Sequence, residues 1–228
     1  MKTTTHLLNH GYVALDDVMG DDRTAARTAR TSFRTRHTKT VEEDARLTDY
    51  LVCHGHTTPL EFCQLRYYLK MPIFVARQLV RHRTASINEI SLRYVTAVRE
   101  FYVPELDRME KRAGGKKQGS GGGLVDAPDT MRLLIEQAGN AAFDVYDQLI
   151  SGGLAPEIAR TVLPLGTYTE WYWQIDLHNF LGTMGKRIAP DAQYEIRVFA
   201  QAMLDLAEDK FPTVIGAWRR HHAAKNSS

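Results

Sequence analysis

Between Cys63 and Lys70 the chain alternates. Cys63, Leu65, Tyr67 and Leu69 fall on one side, and Gln64, Arg66, Tyr68 and Lys70 on the other. A period of two is that of a half-buried strand. Tyr168 to Asp176 repeats the pattern, with Trp171, Trp173 and Ile175 on one face and Tyr172 opposite. A further strand is expected from Gly11 to Val18, closed by the turn residues Gly20-Asp21-Asp22.

Elsewhere the period lengthens to that of a helix. Leu47, Tyr50 and Leu51 predict a helix from Glu42 to Cys53, with Gly55 where a C-terminal stop belongs. Another is expected over Thr24–Ser32, capped by Asp21 or Asp22. Pro72 suits the first position of a helix carrying Phe74, Val75, Leu79 and Val80, which runs into Arg81-His82-Arg83. The strongest pattern is Met131, Leu134, Ile135, Ala138, Ala142, Val145, Tyr146 and Leu149. Pro156 opens a shorter helix containing Arg160, and Pro164 stops it. A final helix, Ala192 to Phe211, carries Ile196, Phe199, Met203 and Leu206, and a solvated basic tail with His221-His222 is expected after it. Interspersed strands and helices predict a mixed α/β domain. Residues 112–123, RAGGKKQGSGGG, read as a flexible basic surface loop. No complete core lies on either side of it, so residues 1–228 are expected to form a single domain.

A chain of 228 residues suffices for one full-sized core. Its net charge of +2 is too small to point to a nucleic-acid partner, so any basic patch is local and suits a small anion equally well. No apolar run approaches a membrane span of about 18 residues, and the first ten residues lack the apolar core of a signal peptide. Cys53 and Cys63 form neither a CxxC pair nor a metal-ligand spacing, and both are expected to be buried small hydrophobes. A reduced, cytoplasmic protein without a metal is the expectation.

Candidate chemistry concentrates in Gln78 to Tyr94. Arg81, Arg83 and Arg93 share this stretch with His82, Ser86, Asn88 and Ser91, and Glu89 is its only acid. Arginine's rigid donors match phosphate and carboxylate oxygens in pairs. Arg81 and Arg83 point to different sides if the helix continues, and can serve one ligand if it ends there. Asn88, Glu89 and Ser91 add groups able to fix a ribose or a base edge. From spacing alone, a nucleotide site and a structural polar network both remain open.

Arg81-His82-Arg83-x7-Ser91 resembles the signature of the flavin-dependent thymidylate synthases. The likeness extends to His54-Gly55-His56-Thr57-Thr58-Pro59-Leu60-Glu61, Pro72 to Gln78, Phe101-Tyr102-Val103-Pro104, Ala159-Arg160-x3-Pro164, Asp176-Leu177-His178-Asn179, Arg187 and Ala192 to Arg197. The resemblance implies reductive methylation of dUMP to dTMP. It also implies FAD as cofactor, methylenetetrahydrofolate as carbon donor and NADPH as reductant. The implied fold is a mixed α/β domain with a central, largely antiparallel twisted sheet flanked by helices, assembled as a homotetramer with sites shared between subunits.

Position by position, the resemblance puts Thr58, Arg81, His82, Arg83, Glu89, Asp176 and His178 at FAD. It puts Gln78, Arg81, Glu89, Ser91, Arg93, Arg160 and Arg187 at dUMP, with Arg93 at the phosphate. Arg187 would pair with the uracil edge and favour the N3-ionised base. His56 and Asn88 would lie on the flavin and folate side. Ser91 is expected to bind rather than attack, since no relay of His and Asp stands beside it.

The sequence departs from the family at Gly182, where a His or Asn usually meets FAD. Two glycines, Gly182 and Gly185, also interrupt the helix expected to carry Arg187, at about 1 kcal/mol each relative to Ala. Two rival readings are a nucleic-acid module using the basic segment with Lys116 and Lys117, and a family member that binds dUMP without turnover.

Overall fold

The computed structural model describes residues 4–33, 39–115 and 119–226, with side chains to His222. Five strands form one sheet: β1 (Thr4–Leu7), β2 (Gly11–Met19), β3 (Gln64–Pro72), β4 (Ser86–Glu89) and β7 (Tyr168–Asp176). Their order is β1-β2-β3-β7-β4, and every pairing is antiparallel. The two strands with clean alternation sit at the centre, in register from Gln64 opposite Asp176 to Pro72 opposite Tyr168.

Their odd and even positions separate as the period requires. Leu65, Tyr67, Leu69, Trp171, Trp173 and Ile175 are buried. They pack with Phe180 of α6 (Leu177–Arg187), Phe199 and Met203 of α7 (Tyr194–Glu208) and Val214 and Ile215 of α8 (Pro212–Asn226). The Tyr67 hydroxyl, inside this core, donates to the Met203 carbonyl at 2.8 Å. The opposite sheet face carries Tyr12, Tyr68 and Tyr172. Tyr12 and Tyr68 donate to Glu170 at 3.0 and 2.7 Å, and Lys70 pairs with Glu100 at 2.5 Å.

Several expectations are corrected. The helix after Gly20 is α1 (Thr24–Ala29), continuing as a 3₁₀ turn over Arg30–Phe33. Asp21 accepts the backbone N–H of Arg23 at 3.0 Å, whereas Asp22 caps a distant helix, accepting from Thr213 and Val214 at the start of α8. Thus α7 is not the final helix, and the presumed tail is α8, with Val214, Ile215 and Ala217 buried. Pro72 ends β3 and stands at the N-cap of α3 (Ile73–Leu79) rather than inside it. The glycine-rich stretch is not wholly loop, because β5 (Glu110–Arg112) pairs with β6 (Ser120–Leu124). Lys116 and Lys117 lie outside the described residues. Cys53 is exposed; only Cys63 is buried, its thiol pushed up to about 11 by burial.

The helix expected from Glu42 forms as α2 (Val41–Cys53), closed by a Thr40–Glu43 capping box. Its buried Asp44 accepts from Arg23 at 2.5 Å and from Arg30. Burial alone would raise this carboxyl, but the two arginines hold it below its ordinary value. The longest helix, α4 (Pro128–Ser151), buries Gly139, Phe143 and Tyr146, while Met131, Leu134, Ile135 and Val145 remain exposed. No helix among the described residues is long and apolar enough to cross a membrane.

Candidate active site

Helix α3 stops at Leu79, and His82 N–H reaches back to the Leu79 carbonyl at 3.1 Å. The run Arg81-His82-Arg83 is therefore a turn between α3 and β4. Among the described residues, Arg81 and Arg83 are exposed and have no carboxylate partner. Two cations held apart from acids on a turn suit an anionic ligand better than a structural network does.

Arg187 comes to this turn from the other end of the molecule. Asp176 caps α6 by accepting the Asn179 N–H at 2.9 Å, and its second oxygen takes the Asn179 side-chain amide at 2.7 Å. The helix forms through both glycines and ends on Arg187. A Cβ on Gly182 would meet nothing within 4 Å; one on Gly185 would stand 3.0 Å from His222 Cε1, so that glycine admits α8.

Arg187 donates from Nε to His82 Nε2 at 3.2 Å and from Nη2 to the Gln78 carbonyl at 2.8 Å. No carboxylate pairs with it among the described residues. Burial pushes its guanidinium below the ordinary arginine value, and burial followed by the Arg187 and Lys186 charges does the same to the His82 imidazole. Gln78 and Arg187 line a cavity of about 1060 Å³. Its remaining wall includes Arg108, at the end of a 3₁₀ turn, and Glu110 of β5, with Gln193 and Glu195 at the start of α7.

A second group is drawn from residues that follow β4 in the chain. Arg93 Nε donates to Glu157 Oε2 at 3.2 Å, and Arg160 Nε donates to the Glu157 carbonyl at 3.3 Å. Ser91 Oγ accepts the Arg93 N–H at 3.4 Å, which leaves the hydroxyl proton unassigned to any base. On β4, Glu89 accepts from Thr169 at 2.6 Å, and Asn88 stands opposite Tyr172. Thr58 opens a 3₁₀ turn (Thr58–Phe62) that packs on α6, bringing it towards Asp176 and His178. His56 stacks with Tyr50 at 5.7 Å.

The structure thus joins Gln78, His82 and Arg187, and separately joins Arg93 and Arg160. Among the described residues, no hydrogen bond or ion pair links the two groups. No cluster of three potential metal ligands occurs among the described residues.

A family model described as "thymidylate synthase complementing protein" matches residues 14–213. A flavin-dependent thymidylate synthase of Thermus thermophilus is 45% identical over 218 residues, covering 96% of this chain and 79% of the relative. One from Gluconobacter oxydans is 40% identical over 223 residues, covering 96% and 73%. The crystal structure of a UMP/dUMP methylase from Streptomyces cacaoi, bound with 5-Br dUMP, superimposes with a TM-score of 0.86 at 28% identity, covering 95% of this chain and 97% of that one. The chain belongs to the flavin-dependent thymidylate synthase family.

Three residues of this family member had no role assigned from sequence. Glu157 holds Arg93. Arg108 lies over the Tyr194 ring at 4.3 Å. Glu195 is 6% exposed and faces the cavity wall from an apolar helix face. An acid four residues before Phe199, on the stripe that carries Ile196 and Met203, is a readable signal for the last of these.

Proposed function

We propose that this chain is a thymidylate synthase that methylates dUMP reductively to dTMP, using FAD, methylenetetrahydrofolate and NADPH. One observation carries the reading: Arg187 is a half-buried cation whose acceptors among the described residues are neutral, on a cavity shared with Gln78, in a member of this family. A guanidinium stays charged at neutral pH. In a water-poor site it stabilises negative charge on a pyrimidine, which favours the N3-ionised base.

The donor set also fits FAD. Arg81 and Arg83, exposed and without a carboxylate partner among the described residues, suit a pyrophosphate. His82, Thr58, Glu89, Asp176 and His178 would hold the rest of the cofactor, with His56 and Asn88 on the flavin and folate side. The open space at Gly182 leaves contact there to backbone or water. When bound, flavin would supply the hydride- and carbon-transfer chemistry that links NADPH and the folate to dUMP. The protein's own groups bind, orient and neutralise charge. Cys63, buried with a raised thiol, is unsuited to attack on the uracil ring.

The nucleotide's phosphate falls to Arg93 and Arg160, and Glu89 and Ser91 hold its sugar or base. Exposed Met131, Leu134, Ile135 and Val145 on α4 are an apolar surface suited to a homotetramer. In such an assembly the Arg93–Arg160 group of one copy and the Arg187 cavity of another serve one dUMP. Residues 1–228 then act as a single catalytic domain.

The test is a flavin-absorbance titration with and without dUMP, then a dTMP-formation assay with methylenetetrahydrofolate and NADPH, with UMP assayed in parallel. FAD uptake and dTMP are expected. Protein that takes up no flavin, or that binds dUMP without consuming NADPH, would overturn the reading.

A further inference from the structure

Along the cavity wall runs a chain of hydrogen bonds with one possible direction. Glu195 is buried near the start of α7 and accepts twice. The Tyr102 hydroxyl donates to Oε1 at 3.0 Å, and Gln193 Nε2 donates to Oε2 at 2.8 Å. The Gln193 oxygen in turn accepts from Gln78 Nε2 at 2.6 Å. A carboxylate has no proton to give, so Gln193 must present its NH₂ to Glu195 and its oxygen to Gln78. Gln78 must then present its own NH₂ to Gln193. Turning either amide over would set oxygen against oxygen. Burial, and after it the Glu195 charge, raises the Tyr102 phenol, which therefore stays a donor.

The consequence falls on Gln78, whose backbone carbonyl is already held by Arg187. Among the described residues, its side-chain oxygen, Oε1, has no hydrogen-bond partner. We propose that Glu195 is a positioning residue that, through Gln193, fixes the Gln78 amide so that its oxygen is offered to a donor group on the bound nucleotide. This rests on the reading of Gln78 as a dUMP-binding residue. Glu195 acts on the nucleotide through Gln193 and Gln78. Its function is to remove one of two amide orientations, so that binding does not require selecting the competent one.

Steady-state kinetics with dUMP varied, on the FAD-loaded enzyme, tests this with Glu195→Gln, Gln193→Met, Gln78→Ala and the double variant Glu195→Gln/Gln78→Ala. Glutamine at 195 can donate as well as accept, so Gln193 and Gln78 lose their fixed direction. The expected result is a rise in KM for dUMP of about tenfold with kcat reduced much less, in Glu195→Gln and in Gln193→Met. In the Gln78→Ala background the Glu195 substitution should add nothing further. A general packing defect would instead multiply through both backgrounds.

Folded Glu195→Gln with unchanged KM, or the same tenfold rise in the Gln78→Ala background, overturns the inference. If Glu195→Gln does not fold, Gln193→Met carries the same comparison without disturbing the buried acid. Unchanged KM in Gln78→Ala alone would instead remove Gln78 from the nucleotide site, and the inference with it.

Discussion

Arg187 gives its Nε–H to Nε2 of His82 across 3.2 Å, joining the last residue of α6 to the turn after α3. Arginine is only a donor, so that imidazole nitrogen must be unprotonated and the ring proton sits on Nδ1. The contact fixes the tautomer of a residue in the signature motif. It also holds the guanidinium on the cavity that Gln78 lines.

Removing the guanidinium tests its role. Arg187→Ala is expected to lower kcat by about 10²–10³-fold, the range for loss of one charge-stabilising donor. The fold should persist, because the Arg187 contacts are to neutral acceptors at a cavity wall. Circular dichroism and thermal melting, read beside dTMP formation, check both halves; near-normal turnover would sink the assignment.

The same contact predicts a pH dependence. Burial and the neighbouring cations hold the His82 imidazole below its ordinary pKa, about 6.5. Below that ordinary value the unfolded chain takes up a proton that the folded chain refuses. The contribution to stability is therefore present above about pH 6.5 and is lost as pH falls through the lower folded value. Melting temperature should decline over that interval, and His82→Gln should flatten the decline. An unaltered slope in the variant would place the titration elsewhere.

Glu157 competes with an anion for Arg93. The pair is exposed, so its worth is at most about 1 kcal/mol. Glu157→Gln is expected to lower the Kd for dUMP by up to about fivefold, and Arg93→Ala to raise it. Calorimetry on the FAD-loaded protein reads both; weaker binding in Glu157→Gln would show that Glu157 supports the phosphate site rather than opposing it.

The two glycines of α6 should respond differently to alanine. Gly182 faces open space, so Gly182→Ala gains about 1 kcal/mol of helix stability. For a chain of this size that raises the melting temperature by about 2–4 °C. Gly185→Ala meets His222, stacked on Trp218 at 4.6 Å, and must displace it. Its gain should be smaller or reversed, and equal shifts in the two variants would contradict this packing.

Local pattern alone determined the elements that lie half-buried on one side. The strands β3 and β7 and the helices α2 and α7 followed from it, because burying one face writes a period of two or 3.6 directly into the sequence. Helix α4 followed from a stripe that stays largely exposed in this chain. The motifs singled out Arg81, Arg83 and Arg187 by type and order. Tertiary structure decided what no local pattern encodes. Ser86–Glu89 is exposed throughout and is a strand only because β7 offers it an edge. Basic residues after Lys210 hid α8, whose first turn is capped by Asp22, 191 residues away from Thr213. His82 and Arg187 are 105 positions apart, and Gln78 and Gln193 are 115 apart. Such pairs are set by how helices dock on the sheet, and that packing brings Arg187 and Gln78 onto one cavity whose wall carries a directed hydrogen-bond chain.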